Sequence, residues 1–162
     1  MTNALKYFTI LILLCFWAIP LSAQMRNLYL QGYRIDTIYP ISFSSFSFSA
    51  HLQIRNDTTD FAMSRISGIV FLEEELFAEG SVSDIYLSSG DNSIYIKGQC
   101  TIHPTVPFLS LIRIVRHPDI SKLSANAAMV VRFPSGEIKS VNKQNVPLHS
   151  LIGNLNSTQA IE

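Results

Sequence analysis

From Phe46 to Arg55 the chain alternates apolar and polar residues at every step, Phe-Ser-Phe-Ser-Ala-His-Leu-Gln-Ile-Arg, and then runs into Asn56-Asp57-Thr58-Thr59. Successive side chains of an extended strand leave the pleat on opposite faces, so this period demands a strand with one buried and one wet face. Phe46, Phe48, Ala50, Leu52 and Ile54 form the expected core row. Ser47, Ser49, His51, Gln53 and Arg55 form the expected solvent row, and taken alone they assemble no chemistry.

Other segments follow the same rule. Ser93 to Ile102 places Ile94, Ile96, Gly98, Cys100 and Ile102 on one face and Tyr95, Lys97, Gln99 and Thr101 on the other. Cys100 is therefore expected to be a small buried hydrophobe, not a reactive thiol. Leu28 to Ile38 alternates with a change of phase at Gly32, which predicts a bulge or bend there. Ile66–Leu72 and Leu76–Glu79 flank Glu73-Glu74-Glu75 and predict a hairpin with a charged tip. Ile85–Leu87 is short and ends in the turn cluster Ser88 to Asn92. Ala127–Phe133, Pro134-Ser135-Gly136 and Glu137–Asn142 predict a second hairpin, with Val146–Leu148 as a last edge segment.

One stretch breaks the pattern. Pro107 precedes Phe108, Leu111, Ile112 and Val115 at helical spacing, and Pro118 stops the run, which predicts a short helix. A strand reading of the same residues stays open, because Leu109 and Ile114 are apolar too. About seven short strands with turns between them and one helix make an all-β chain, and a β-sandwich rather than a parallel sheet.

The first residues bear on compartment. Lys6, the apolar run Phe8 to Pro20 and Leu21-Ser22-Ala23 before Gln24 have the order of a secretory signal peptide. An uncleaved leader acting as an anchor is the alternative. Lipidation at Cys15 fits poorly, since Leu14 stands where a small residue is wanted. The expected organisation is a leader over residues 1–23, one sandwich domain over 24–152 and a disordered polar tail over 153–162. Whole-chain charge balances at 12 Lys+Arg against 12 Asp+Glu; without Lys6 it is 11 against 12. Such a scattered, near-neutral set has no reach for nucleic acid. Only Cys100 remains after the leader, which excludes an intramolecular disulfide.

Cys100 and His103 have the spacing of half a metal site, but no second pair accompanies them, and His51, His117 and His149 are dispersed. There is no Gly-x-Ser-x-Gly elbow, and Pro134-Ser135-Gly136 reads as a turn. The three adjacent glutamates read as a solvated tip. Asn56-Asp57-Thr58 and Asn156-Ser157-Thr158 match the N-glycan acceptor pattern, accidentally if the leader is bacterial. Asp36-Thr37-Ile38 and Asp57-Thr58-Thr59 resemble a bacterial O-glycan acceptor. Tyr29, Tyr33, Tyr39, Phe43, Phe46 and Phe48 concentrate aromatics early in the chain; the leading reading is a large core, the alternative an exposed patch for a partner, polymer or membrane. Expected site residues are none: no catalytic, cofactor-binding or metal-binding set, and no cofactor.

The order of these features resembles the late embryogenesis abundant type 2 family, also called the water stress and hypersensitive response domain. The strand ending in Asn56-Asp57 resembles that family's strand and "NP" turn, with Asp57 where proline is usual. Ile66-Ser67-Gly68-Ile69-Val70-Phe71 and Phe77-Ala78-Glu79-Gly80 resemble its second hairpin, and the later strands follow in the same order over most of Leu28 to Leu148. The resemblance implies an immunoglobulin/fibronectin-III-like β-sandwich without catalytic residues. It further implies a part in desiccation or stress tolerance, protecting client proteins or envelope surfaces. With the leader, the expected location is the periplasm or envelope of a Gram-negative bacterium. The alternative is an accessory binding module of an envelope complex, acting through a sheet edge or the Glu73–Glu75 hairpin. Its partners are unknown, with envelope proteins or a membrane surface as the candidates.

Overall fold

The computed structural model describes residues 27–106, 122–147 and 159–160 of the 162. The leader, the expected helix after Pro107, His117, His149 and Asn156 lie outside the described residues. Among the described residues the chain forms β1 (Leu28–Pro40), β2 (Ser45–Asn56), β3 (Phe61–Leu72), β4 (Glu75–Val82), β5 (Ile85–Leu87), β6 (Gly90–Ile102), β7 (Leu123–Arg132), β8 (Ile138–Pro147) and β9 (Gln159–Ala160). The chain is all-β. The strands join in the order β8-β7-β3-β4-β6-β2-β1-β9, with β5 continuing the line of β4 along β3. Every pairing is antiparallel except that of β9, whose two residues run parallel to Gly32–Tyr33. Gln159 and Ala160 belong to the stretch expected to be a disordered tail.

Alternation positions the core. Phe46, Phe48, Ala50, Leu52 and Ile54 are all buried, as the period of β2 demands. They join Phe61, Met63, Ile66 and Val70 of β3, Phe77 and Ala78 of β4, Ile96 and Cys100 of β6, and alternate residues of β7 in one cluster. One antiparallel sheet that gathers its buried side chains into a single cluster is compatible with the expected sandwich. Gly98 permits a close approach inside it: a Cβ there would lie 2.3 Å from Phe48 Cζ and 2.9 Å from the Ser81 carbonyl oxygen. The Phe48 ring occupies the space a side chain at 98 would need.

Bulges keep the apolar rows in phase. The register of β1 on β2 jumps between Leu30 and Gly32, as the phase change predicts, and again between Ile35 and Thr37. Each jump returns the apolar set to the inner face: Leu30 opposite Ile54, Tyr33 opposite Leu52, Ile38 opposite Phe48. In β3 a third irregularity between Ser64 and Ser67, with Arg65 at φ 52°, shifts burial from Phe61 and Met63 to Ile66 and Val70. Reading the alternation alone starts this strand at Ile66; the structure starts it at Phe61 because the bulge hides the continuity. Likewise β8 is one strand, not a hairpin arm and a separate edge segment. Its register against β7 shifts between Ala125 and Ala127, and Asn145, at φ 54°, donates its N–H to Asn126 Oδ1 at 2.9 Å.

Candidate functional site

The second bulge of β1 builds a polar cluster on the outer face. Arg34, His51 and Tyr95 lie side by side across β1, β2 and β6. Asp36 is the extra residue of the bulge. Arg34 Nε donates to Asp36 Oδ1 at 2.9 Å, and His51 Nδ1 lies 2.5 Å from Asp36 Oδ2. That contact assigns the Nδ1 proton to His51, so Arg34 Nη2, 3.4 Å from the same nitrogen, has no acceptor there. The Tyr95 ring tilts against the imidazole with centroids 5.0 Å apart, and Lys97 Nζ lies 5.9 Å from the Tyr95 centroid. Partial desolvation pushes the Asp36 carboxyl up, but hydrogen bonds and charge from Arg34 and His51 outweigh it and hold the group below its ordinary value. An aspartate-oriented imidazole can accept a proton at its other nitrogen. Ser49, next on the same face, instead bonds Thr37, with their hydroxyls 2.6 Å apart, and is buried where alternation places it in solvent. Thr37 of the neighbouring strand covers it.

At the far end of the same strands, Arg55 donates to Asp57 at 2.8 Å and to Asp91 at 3.2 Å, and these carboxylates raise its pKa further. Asn56 is fully buried, and both ends of its amide are used. Its Nδ2 donates to the carbonyls of Thr59 and Ser88, both at 3.0 Å, while its Oδ1 accepts from the Thr58 N–H and hydroxyl. An amide nitrogen held this way cannot carry a glycan in the folded protein. The Asn56-Asp57-Thr58 match is a strand-ending turn.

Cys100 is buried in the core as its alternation requires. His103 lies beyond the end of β6, half-buried, with Nδ1 2.7 Å from the Thr105 hydroxyl. The glutamates do form a hairpin tip, Glu73 and Glu74 being the two turn residues between β3 and β4. Lys122 pairs with Glu73 at 2.5 Å.

The early aromatics divide. Phe46 and Phe48 are core, whereas Tyr29 and Tyr39 are exposed and Phe43 projects completely, at 111% of its reference area. Tyr39, Ile41 and Phe43 gather where β1 turns into β2, a tip with three large exposed side chains. The turn beneath them is pinned. The Ile41 and Ser42 N–H groups donate to the Ser45 carbonyl at 2.8 and 3.0 Å, and the Ser44 and Ser45 N–H groups donate to Ser42 Oγ. The Ile102 N–H donates to the Ser44 carbonyl at 2.7 Å and ties the turn to β6. From Thr37 to Ala50 no residue is charged.

No family model matches the chain, and no curated protein matches it. Among solved structures, a protein from Archaeoglobus fulgidus is similar at 11% identity over 72% of this chain and 94% of that one, with a TM-score of 0.37. A β-glucuronidase of glycoside hydrolase family 2 is similar at 11% identity over 75% of this chain but 13% of its own length, with a TM-score of 0.35. The sporulation control protein Spo0M from Bacillus subtilis gives 8% identity over 74% of this chain and 49% of that one, at a TM-score of 0.25. Likenesses this distant say nothing about activity.

Proposed function

We propose that the chain is an exported, non-enzymatic β-sandwich that works by binding a component of the cell envelope through the β1–β2 tip. The observation that carries this reading is the set Tyr39, Ile41 and Phe43, exposed together on a turn whose backbone is held by five hydrogen bonds. Exposed aromatic and aliphatic side chains cost free energy in water, and a rigid presentation lowers the entropy lost on contact. The non-enzymatic assignment rests on the family resemblance, and export on the leader-like residues 1–23. A protective role under water stress, which the resemblance implies, would be exercised at whatever surface this tip contacts.

The test is photo-crosslinking in cells from the full chain, with a photoreactive residue in place of Phe43 and, as control, in place of Ile138. Ile138 is also exposed but sits beside the β7–β8 turn at the other end of the sheet. The expected outcome is an adduct with an envelope component from position 43 and none from 138. Equal yields from both positions would remove the basis for the tip as a binding site.

A further inference from the structure

We infer that the occupant of the β1–β2 tip is the interface of a lipid bilayer, an inference that rests on the binding reading above and names its partner. Four features of the tip point to lipid over a protein pocket. First, nothing ionic would have to be dehydrated, because the whole stretch from Thr37 to Ala50 is uncharged. Second, the turn carries its own hydrogen bonds: the N–H groups of Ile41, Ser42, Ser44 and Ser45 and the carbonyls of Ser44 and Ser45 are all used. Bare backbone groups are what bars most loops from a low-polarity phase, and these bonds spare the turn part of that cost. Third, the apolar side chains are graded, with Phe43 standing free in the turn and Tyr39 nearer the sheet. Tyrosine at the water boundary with apolar side chains beyond it is the arrangement that membrane interfaces favour.

The fourth feature is charge. Thr101 pairs with Ser45 and Ile102 with Ala78, so the β3–β4 turn, with Glu73, Glu74 and Glu75, lies at the same end of the sheet as the tip. Among the described residues, Lys122 is the cation that accompanies them, and it is paired with Glu73. An uncharged wedge whose neighbours among the described residues are acidic does not seek anionic lipid, so attraction comes from apolar burial and resists salt. Three side chains entering the interface give a weak, reversible contact, suited to act beside a second tether.

The experiment is co-sedimentation of the whole protein with phosphatidylethanolamine–phosphatidylcholine vesicles, with and without added phosphatidylglycerol, at low and high salt. Binding is expected without phosphatidylglycerol, unimproved by adding it and retained at high salt. Phe43→Ser and Ile41→Ser, both exposed in the fold, are each expected to lower the partition coefficient about tenfold with an unchanged circular dichroism spectrum. Absent sedimentation, indifference to both substitutions, or release by salt would overturn the inference. A protein adduct from the Phe43 crosslink would then keep the binding reading with a different occupant, whereas no adduct would remove both.

Discussion

Asn56 does more for this fold than its polarity suggests. It is a buried amide whose donors and acceptor close the turn after β2 and reach Ser88 before β6. Asn56→Ala leaves two carbonyls and the Thr58 N–H short of their partner, and buried groups left so are costly. We expect a loss of about 2–4 kcal/mol in urea unfolding at unchanged m-value. Asp36 gives the complementary prediction, in pH. Its folded pKa lies below the ordinary 3.8, so its contribution is complete above that value and disappears as pH falls through the lower folded value. Asp36→Asn should therefore flatten the acid limb of the stability curve while leaving its slope near neutrality unchanged. Thermal melts across an acid series read this directly, and an unaltered acid limb would show the pairing to be inconsequential.

Two hairpins solve the same problem with different residues. Between β7 and β8, Pro134-Ser135-Gly136 places glycine at φ 86°, and the Phe133 N–H donates to the Glu137 carbonyl at 2.9 Å. Glycine holds that conformation without steric cost. Between β3 and β4, Glu73 and Glu74 take φ values of 50° and 75°, the left-handed pair of a two-residue turn that usually falls to Asn-Gly. Glutamate is strained there, and among the described residues Glu73 alone of the two has an ion-pair partner. Glu74→Gly keeps the Lys122 contact and removes strain, so it should stabilise the protein by about 1 kcal/mol in urea titration. The bulges of β1 are a related device. One inserts Gln31 and restores the core row; the other inserts Asp36 and also aims a carboxylate at His51.

Across the described residues, the sheet ends in β8 on one side and on the other in β1, along which only the two residues of β9 pair, at Gly32 and Tyr33. β1 carries two bulges and Pro40, while β8 carries Lys139, Lys143 and the distortion at Asn145. These are the features that discourage further strand pairing, and they weigh against binding by strand addition. Among the described residues, the tip holds the most exposed of the large hydrophobic side chains, which is why both binding tests turn on Phe43.

Much of this was legible in the chain, and the division has a physical cause. Period-two alternation is local, so the core rows of β2 and β6, the inward Cys100, the bulge at Gly32 and both hairpin tips could be read from neighbouring residues. The second bulge left a trace too, since Ile35 and Ile38 cannot share a face without one. What alternation cannot convey is which strands lie side by side or what covers a side chain. The Asp36–His51 pair needs β1 beside β2, the Tyr95 contact needs β6 beyond it, and Ser49 is buried by Thr37 across a strand boundary. Phe43, Phe46 and Phe48 look alike in sequence. By itself the sequence determined an all-β chain with one apolar face per strand, because backbone geometry sets that period. Only the tertiary structure decided that Phe46 and Phe48 fill the core while Phe43 stands in solvent, because burial depends on what packs above a residue.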